Sequence, residues 1–159
     1  MLLFPSHPPT DDEKHVESNL VEIRKSQIPK SGKGVFAKED IPANRFLGYY
    51  RGEALNLDEF NTRHEKNGVG IYVLTLPNES FPDKNMYVDG EQKGNWTSRM
   101  NSPRGTDKKA NVIFYSDGTV VSKRNIKKGE ELFVGYGPRY WNSKFWKNTG
   151  TRKNKKKVA

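Results

Sequence analysis

The feature that most constrains this chain is the brevity of its apolar runs, each closed within a few residues by a turn signal. Leu20-Val21-Glu22-Ile23-Arg24 alternates apolar and polar, as a half-buried strand does. Ser31-Gly32-Lys33-Gly34 reads as a turn before a short strand at Val35-Phe36-Ala37, and Ile41-Pro42-Ala43-Asn44 turns the chain into a strand over residues 45–50. Ile71-Tyr72-Val73-Leu74-Thr75-Leu76 is a β-prone run ended by Pro77-Asn78, and Met86-Tyr87-Val88 is another short strand. Ser116-Asp117-Gly118 joins residues 111–115 to 119–122 as an Asp-Gly hairpin, and Leu132-Phe133-Val134 is the last strand. Helical spacing is confined to 55–66, where Leu57, Phe60 and His64 share a side and Asn67-Gly68 stops the run, to 94–100, and to an aromatic turn over 139–147. The lack of strand–helix alternation argues against a parallel dinucleotide-binding sheet. The expectation is a mainly β domain of several short-stranded sheets with a small helical insert.

Composition narrows the chemistry. A chain of 159 residues suits one domain with a real core. No run approaches the ~18 apolar residues of a membrane helix, and Met1-Leu2-Leu3-Phe4-Pro5 is too short for a secretory signal. Cysteine is absent, which removes disulfides, thiolate nucleophiles and thiolate zinc sites, and His7, His15 and His64 are scattered. No metal site is expected, and the prior is a soluble, intracellular protein. The net charge of +9 is concentrated at the end, where Arg152, Lys153, Lys155, Lys156 and Lys157 stand without an acid among them. Residues 148–159 read as a basic, disordered tail that could contact nucleic acid, an acidic surface or an import receptor, or simply aid solubility. Residues 1–16, with Pro5, Pro8 and Pro9, read as a flexible leader.

Four motifs then follow one another: Tyr87-Val88-Asp89-Gly90 with Gly94-Asn95-Trp96, Arg99-Met100-Asn101-Ser102, Ala110-Asn111-Val112, and Gly129-Glu130-Glu131-Leu132-Phe133-Val134-Gly135-Tyr136-Gly137. With Gly32-Lys33-Gly34 and Tyr50-Arg51-Gly52 upstream, the series resembles the SET domain, over about residues 21–146. The departures resemble the PR branch of that family: Ser102 replaces the histidine after Asn101, and Ser98 stands where an arginine is usual, with Arg99 one place later.

The resemblance implies a β-clip, SET-like fold over 17–147 with a C-terminal pseudoknot, an exception to unthreaded connections. It implies S-adenosylmethionine as the only cofactor and a protein lysine as substrate, by family a core histone in the nucleus or on chromatin. Cofactor contacts fall by resemblance on Lys33, Gly34, Arg99, Asn101, Ser102 and Tyr136, with Trp141 or Trp146 as an aromatic cap in place of a cysteine-rich zinc segment. Taken alone, Gly32-Lys33-Gly34 is an ordinary tight turn, and Asn101 a buried amide tying two loops together. Tyr136 is the implied catalytic residue, its hydroxyl beside the transferred methyl and the lysine nitrogen; its alternative is a core tyrosine holding a turn. Tyr50, Tyr72 and Val134 would line the lysine channel, although both tyrosines could equally be core rings. A valine at 134, where some members carry a phenol, leaves room for di- or trimethylation. Asp58, Glu59 and Glu65 read as a solvated face that would also attract a basic peptide.

Two rivals remain open at this point: a PR-like binding module that transfers no methyl group, motivated by Ser98 and Ser102, and a small basic nucleic-acid-binding β domain. No flanking domain is evident, so a small stand-alone enzyme is expected. Dimerisation is left open.

Overall fold

The computed structural model describes residues 1–64 and 71–136, with only the backbone of Tyr136. Strands β1 (Leu3–Phe4), β2 (Val21–Lys25), β3 (Lys33–Ala37), β4 (Phe46–Tyr49), β5 (Gly52–Leu55), β6 (Val73–Pro77), β7 (Asn85–Asp89), β8 (Val112–Phe114), β9 (Thr119–Ser122), β10 (Glu131–Leu132) and β11 (Val134–Tyr136) form three small sheets. Their orders are β1-β5-β7-β6, β10-β3-β2 and β11-β8-β9-β4. All pairings are antiparallel except β11 on β8, where Val134 faces Val112 and Tyr136 faces Phe114. The helices are α1 (Asp11–His15), α2 (Leu57–His64) and α3 (Gly90–Lys93). None among the described residues is long and apolar enough to cross a membrane.

One apolar core, with Val35, Leu47, Tyr50, Leu74, Val88, Trp96, Met100, Val112, Phe114 and Leu132 within it, binds the sheets together. Each strand is too short to bury much surface alone, so stability rests on sheets sharing side chains rather than on any one ladder. A second cluster of Leu55, Phe60, Val73 and Tyr87 seats α2. Phe60 stacks on Tyr87 with ring centroids 4.9 Å apart. The helix starts two residues later than its spacing predicts because Leu55 is committed to β5. Asn56 and Glu59 cap it reciprocally, at 2.8 and 2.9 Å. Glu59 is therefore tied to the helix end, while Asp58 stays exposed. Of the helical segment expected over 94–100 only a 3-10 turn, Trp96–Arg99, forms, capped by Asn95; α3 precedes it, capped by Asp89.

The flexible leader is corrected. Residues 1–16 are built into the fold: β1 pairs with β5, and Thr10 and Glu13 form a capping box on α1, which passes into a π-helical turn, Val16–Leu20. The physical reason is an ion pair the leader's composition does not reveal. Arg51 Nε and Nη2 donate to the two carboxylate oxygens of Glu13, both at 2.8 Å, with Arg51 Nη1 on the His7 carbonyl at 2.9 Å. Both charged side chains are nearly buried. Burial works to raise the Glu13 pKa, but the Arg51 hydrogen bonds and the backbone N–H groups of Thr10 and Tyr49 outweigh it and hold the carboxyl below its usual range.

Candidate active site

Gly34 lies inside β3 opposite Arg24, not in the turn expected of it. The turn closes just before, where Ser26 N donates to the Gly32 carbonyl at 2.8 Å and Gly32 takes φ +65°. What position 34 requires is close approach: a Cβ there would sit 2.2 Å from Glu131 Oε2 and 3.1 Å from Asn101 Nδ2. Glu131 is 1% exposed. Its Oε2 accepts from Ser26 Oγ at 2.7 Å and Asn101 Nδ2 at 3.3 Å, and its Oε1 from Gln27 N at 2.9 Å. Asn101 Nδ2 also donates to the Lys33 carbonyl at 3.1 Å. Because both of those partners are acceptors, the amide must turn its NH2 toward them. Asn101 Oδ1, on a residue 8% exposed, then has no donor among the described residues.

The segment 131–136 is threaded here. On one side Val134 N donates to the Asn101 carbonyl at 3.0 Å, and Asn101 bridges Phe133. On the other, Asn111 N and Val112 N donate to the Phe133 carbonyl at 2.9 and 3.1 Å. Asn111 fastens the crossing with its side chain, Nδ2 to the Glu131 carbonyl at 3.0 Å and Oδ1 from Phe133 N at 2.8 Å. The chain thus passes between the two arms of the loop that joins Asn101 to Asn111, which is the pseudoknot expected. Val134 is 6% exposed and belongs to the core.

A second group forms around Tyr50 and Tyr72. Tyr50 is fully buried, meets Phe114 edge-on at 5.3 Å, and donates its hydroxyl to the Tyr72 carbonyl. Tyr72 is only half-buried, with the Arg99 guanidinium over its ring at 4.2 Å. Arg99 Nη2 also donates to the Glu91 carbonyl at 2.8 Å, so it serves the end of α3 and Tyr72 rather than the Asn101 group. Ser98 explains why no arginine stands one place earlier. It is wholly buried and donates its hydroxyl to the Asn95 carbonyl at 3.0 Å, so a long side chain there would have to displace its neighbours. Its Cβ in turn requires glycine at 90, where an added Cβ would lie 2.8 Å away. Ser102 accepts from Arg104 N at 3.2 Å through its hydroxyl and opens the loop that follows.

Lys33, Gly34, Asn101 and Val134 are therefore brought together, and Phe114, the register partner of Tyr136, links them to Tyr50 and Tyr72. Trp141, Trp146 and the basic tail lie outside the described residues. Sequence reasoning missed the roles of Glu131, Ser26 and Gln27, although Glu131 stood in the motif Gly129-Glu130-Glu131-Leu132. It also missed a charged group beside α2. There Arg63 binds Glu53 through two 3.0 Å bonds, and His64 Nε2 lies 3.1 Å from Asp89 Oδ2. The Glu53 hydrogen bonds raise the Arg63 pKa further, so this arginine is charged at every accessible pH.

Three small sheets around a threaded strand define a SET-like, mainly β domain. Residues 32–137 match the SET domain, and the chain belongs to that family. It is 30% identical over 127 residues to the histone-lysine N-methyltransferase set-17 of Caenorhabditis elegans, covering 77% of this chain and 43% of that protein. With a histone-lysine N-methyltransferase, H3 lysine-36 specific, of Mycosarcoma maydis it shares 32% identity over 131 residues, covering 77% of this chain and 13% of the other. The chain thus spans less than half the length of these curated relatives. The methyltransferase domain of human PR domain-containing protein 2 superposes with a TM-score of 0.59 at 20% identity, covering 80% of this chain and 85% of that one. A structure of ctPRC2 in an autoinhibited conformation bound to S-adenosylmethionine gives 0.59 at 24% identity, covering 91% and 20%.

Proposed function

We propose that the chain is an S-adenosylmethionine-dependent methyltransferase acting on protein lysine, with a histone tail in chromatin as its substrate. One observation carries the reading. Asn101, the family's cofactor asparagine by resemblance, holds Lys33 and Glu131 with its amide nitrogen, while its oxygen, on a residue only 8% exposed, has no donor among the described residues. A buried acceptor left open costs about 1–3 kcal/mol, so an N–H-bearing ligand such as the cofactor's amino-acid part fits it. The backbone around Lys33 and Gly34, with Asn101 and Ser102, would hold the cofactor, and Trp141 would cap it. When bound, the cofactor supplies a methyl group on a sulfonium sulfur.

The chain's own residues then have two tasks, alignment and deprotonation of the incoming amine. A free lysine, with pKa about 10.4, is almost wholly protonated at neutral pH. An apolar channel of Tyr50, Tyr72 and Val134 disfavours the ammonium form and lets the amine enter neutral. Tyr136, the catalytic residue in this reading, orients the nitrogen through its hydroxyl, and no His or Cys is needed. Val134 leaves room for a second and third methyl group. Asp58, exposed on α2, favours a basic peptide.

The test is mass spectrometry of core histones after long incubation with protein and cofactor. Lysine carrying two or three methyl groups is the expected product; a product that stops at one overturns the role of Val134. The second reading, a PR-like binding module, draws support from Ser98 and Ser102. It predicts neither methylated lysine nor heat on titration with S-adenosylmethionine.

A further inference from the structure

A cleft of about 580 Å³ opens between two turns, its walls carrying Lys108 and Lys109 on one side and Arg124, Lys127 and Lys128 on the other. All five are exposed. The carboxylates at the cleft are already engaged: Glu130 Oε2 lies 3.3 Å from Arg124, and Glu131 is buried in its own hydrogen bonds. Lys108, Lys109, Lys127 and Lys128 form no ion pair with any described residue.

The turns hold these cations in place. In the first, Thr106 N and Oγ1 both donate to the Pro103 carbonyl, and Lys108 N donates to Thr106 Oγ1 at 3.0 Å. In the second, Lys127 N donates to Glu130 Oε1 and Lys128 N to Asp40 Oδ1, both at 2.8 Å, while Gly129 N is bound to the Ala37 carbonyl. Hydrogen bonds thus tie the turns that present the lysines, whose side chains are exposed.

The floor decides what the cleft can take. Asn111 and Glu131 have their polar atoms spent on the threaded crossing, so neither offers a hydrogen bond to a small ligand. Among the described residues, Phe133 is the one aromatic side chain that lines the cleft, and it is 3% exposed. That denies a stacking platform to single-stranded bases and an apolar anchor pocket to a peptide. Opposed walls of uncommitted lysine, over a floor that adds the exposed amide of Gln27 to the engaged Asn111 and Glu131, suit a duplex phosphate backbone, which is held by charge and by such polar contacts.

We propose that this cleft is a binding surface for the phosphate backbone of duplex nucleic acid, contacted by Lys108, Lys109, Lys127 and Lys128. None of these residues is assigned to the cofactor or the lysine, so the inference stands apart from methyl transfer. It also stands apart from the basic tail.

The test uses the full chain and a fluorescein-labelled 30-base-pair duplex of about that length, followed by anisotropy across a sodium chloride series. Lys108→Gln with Lys109→Gln, and Lys127→Gln with Lys128→Gln, are compared with Lys25→Gln with Lys93→Gln, a pair of equal charge placed elsewhere. Each cleft pair is expected to weaken binding about tenfold and to lower the log–log salt slope by about 1.8, while the control pair changes affinity less than about twofold. Thermal melts unchanged from wild type accompany the expected result, because the substituted side chains are exposed. Equal losses in the cleft and control pairs overturn the proposal, as does an unchanged salt slope or an absence of duplex binding by the wild type. Displacement of the duplex by poly-glutamate at equal charge concentration overturns it in favour of an acidic polypeptide.

Discussion

Replacing Gly34 by alanine tests whether the contact between β3 and the threaded segment is as tight as the structure describes. The new Cβ would stand 2.2 Å from Glu131 Oε2, a terminus that cannot swing away because Ser26, Gln27 and Asn101 hold it. Restoring ordinary contact at about 3.5 Å displaces the carboxylate by roughly 1 Å. The bonds to Ser26 Oγ at 2.7 Å and Asn101 Nδ2 at 3.3 Å do not both survive that movement. A hydrogen bond to a charged group contributes about 1.5–3 kcal/mol, and overpacking a filled site costs about 1–3 kcal/mol. Together they give a destabilisation of about 4 kcal/mol, or a fall in Tm of roughly 8–16 °C for a chain of this size. Thermal unfolding followed by far-UV circular dichroism measures it. Adding Glu131→Asp, which withdraws the carboxylate by one methylene, should recover part of the loss, and the double-mutant cycle reports the coupling. A Gly34→Ala protein that melts within about 3 °C of wild type refutes the reasoning.

Other outcomes follow from the same coordinates. Glu13→Ala leaves Arg51 buried without a counter-charge and should cost roughly 3–5 kcal/mol in chemical denaturation, whereas a loss below about 1 kcal/mol would mean that the leader is not held by this pair. The same carboxylate sets an acid limit. Its pKa is lower when folded than its ordinary 4.5, so its stabilisation is complete above about that pH and is lost as pH falls through the folded value. Glu13→Gln should start less stable at neutral pH and fall less steeply on acidification, and parallel pH profiles would contradict this. Ser98→Arg should lower stability by about 2 kcal/mol or more, because it forces a long side chain into a fully buried serine site, and unchanged melting would show that the site can open.

How much of this was legible in the sequence depends on how far apart the partners lie. The hairpin at Ser116-Asp117-Gly118 is local chemistry and appears as read, with Gly118 at φ +86°. The mainly β architecture also follows from local signals, since each strand carries its own stop. The part played by Gly34 was hidden, because Gly-Lys-Gly reads as a turn until Glu131 is brought against it. Glu131 itself reads as one more acid in a charged turn, and Ser26, its partner, stands 105 residues away. The ordered leader was hidden for the same reason, its Glu13 waiting on Arg51. Ser98 looked like a defect in a motif, and the structure gives it a steric reason. Tyr50 and Tyr72 differ in burial, a difference that alternation along one strand does not reveal.

Methyl transfer at Tyr136, as proposed, is tested by incubating core histones with radiolabelled S-adenosylmethionine and either the wild type or Tyr136→Phe. Label on a histone is expected with the wild type and its loss in the mutant, with cofactor binding by calorimetry retained. Equal labelling by both proteins would contradict the role of Tyr136, and no labelling together with no cofactor binding would contradict the enzyme itself.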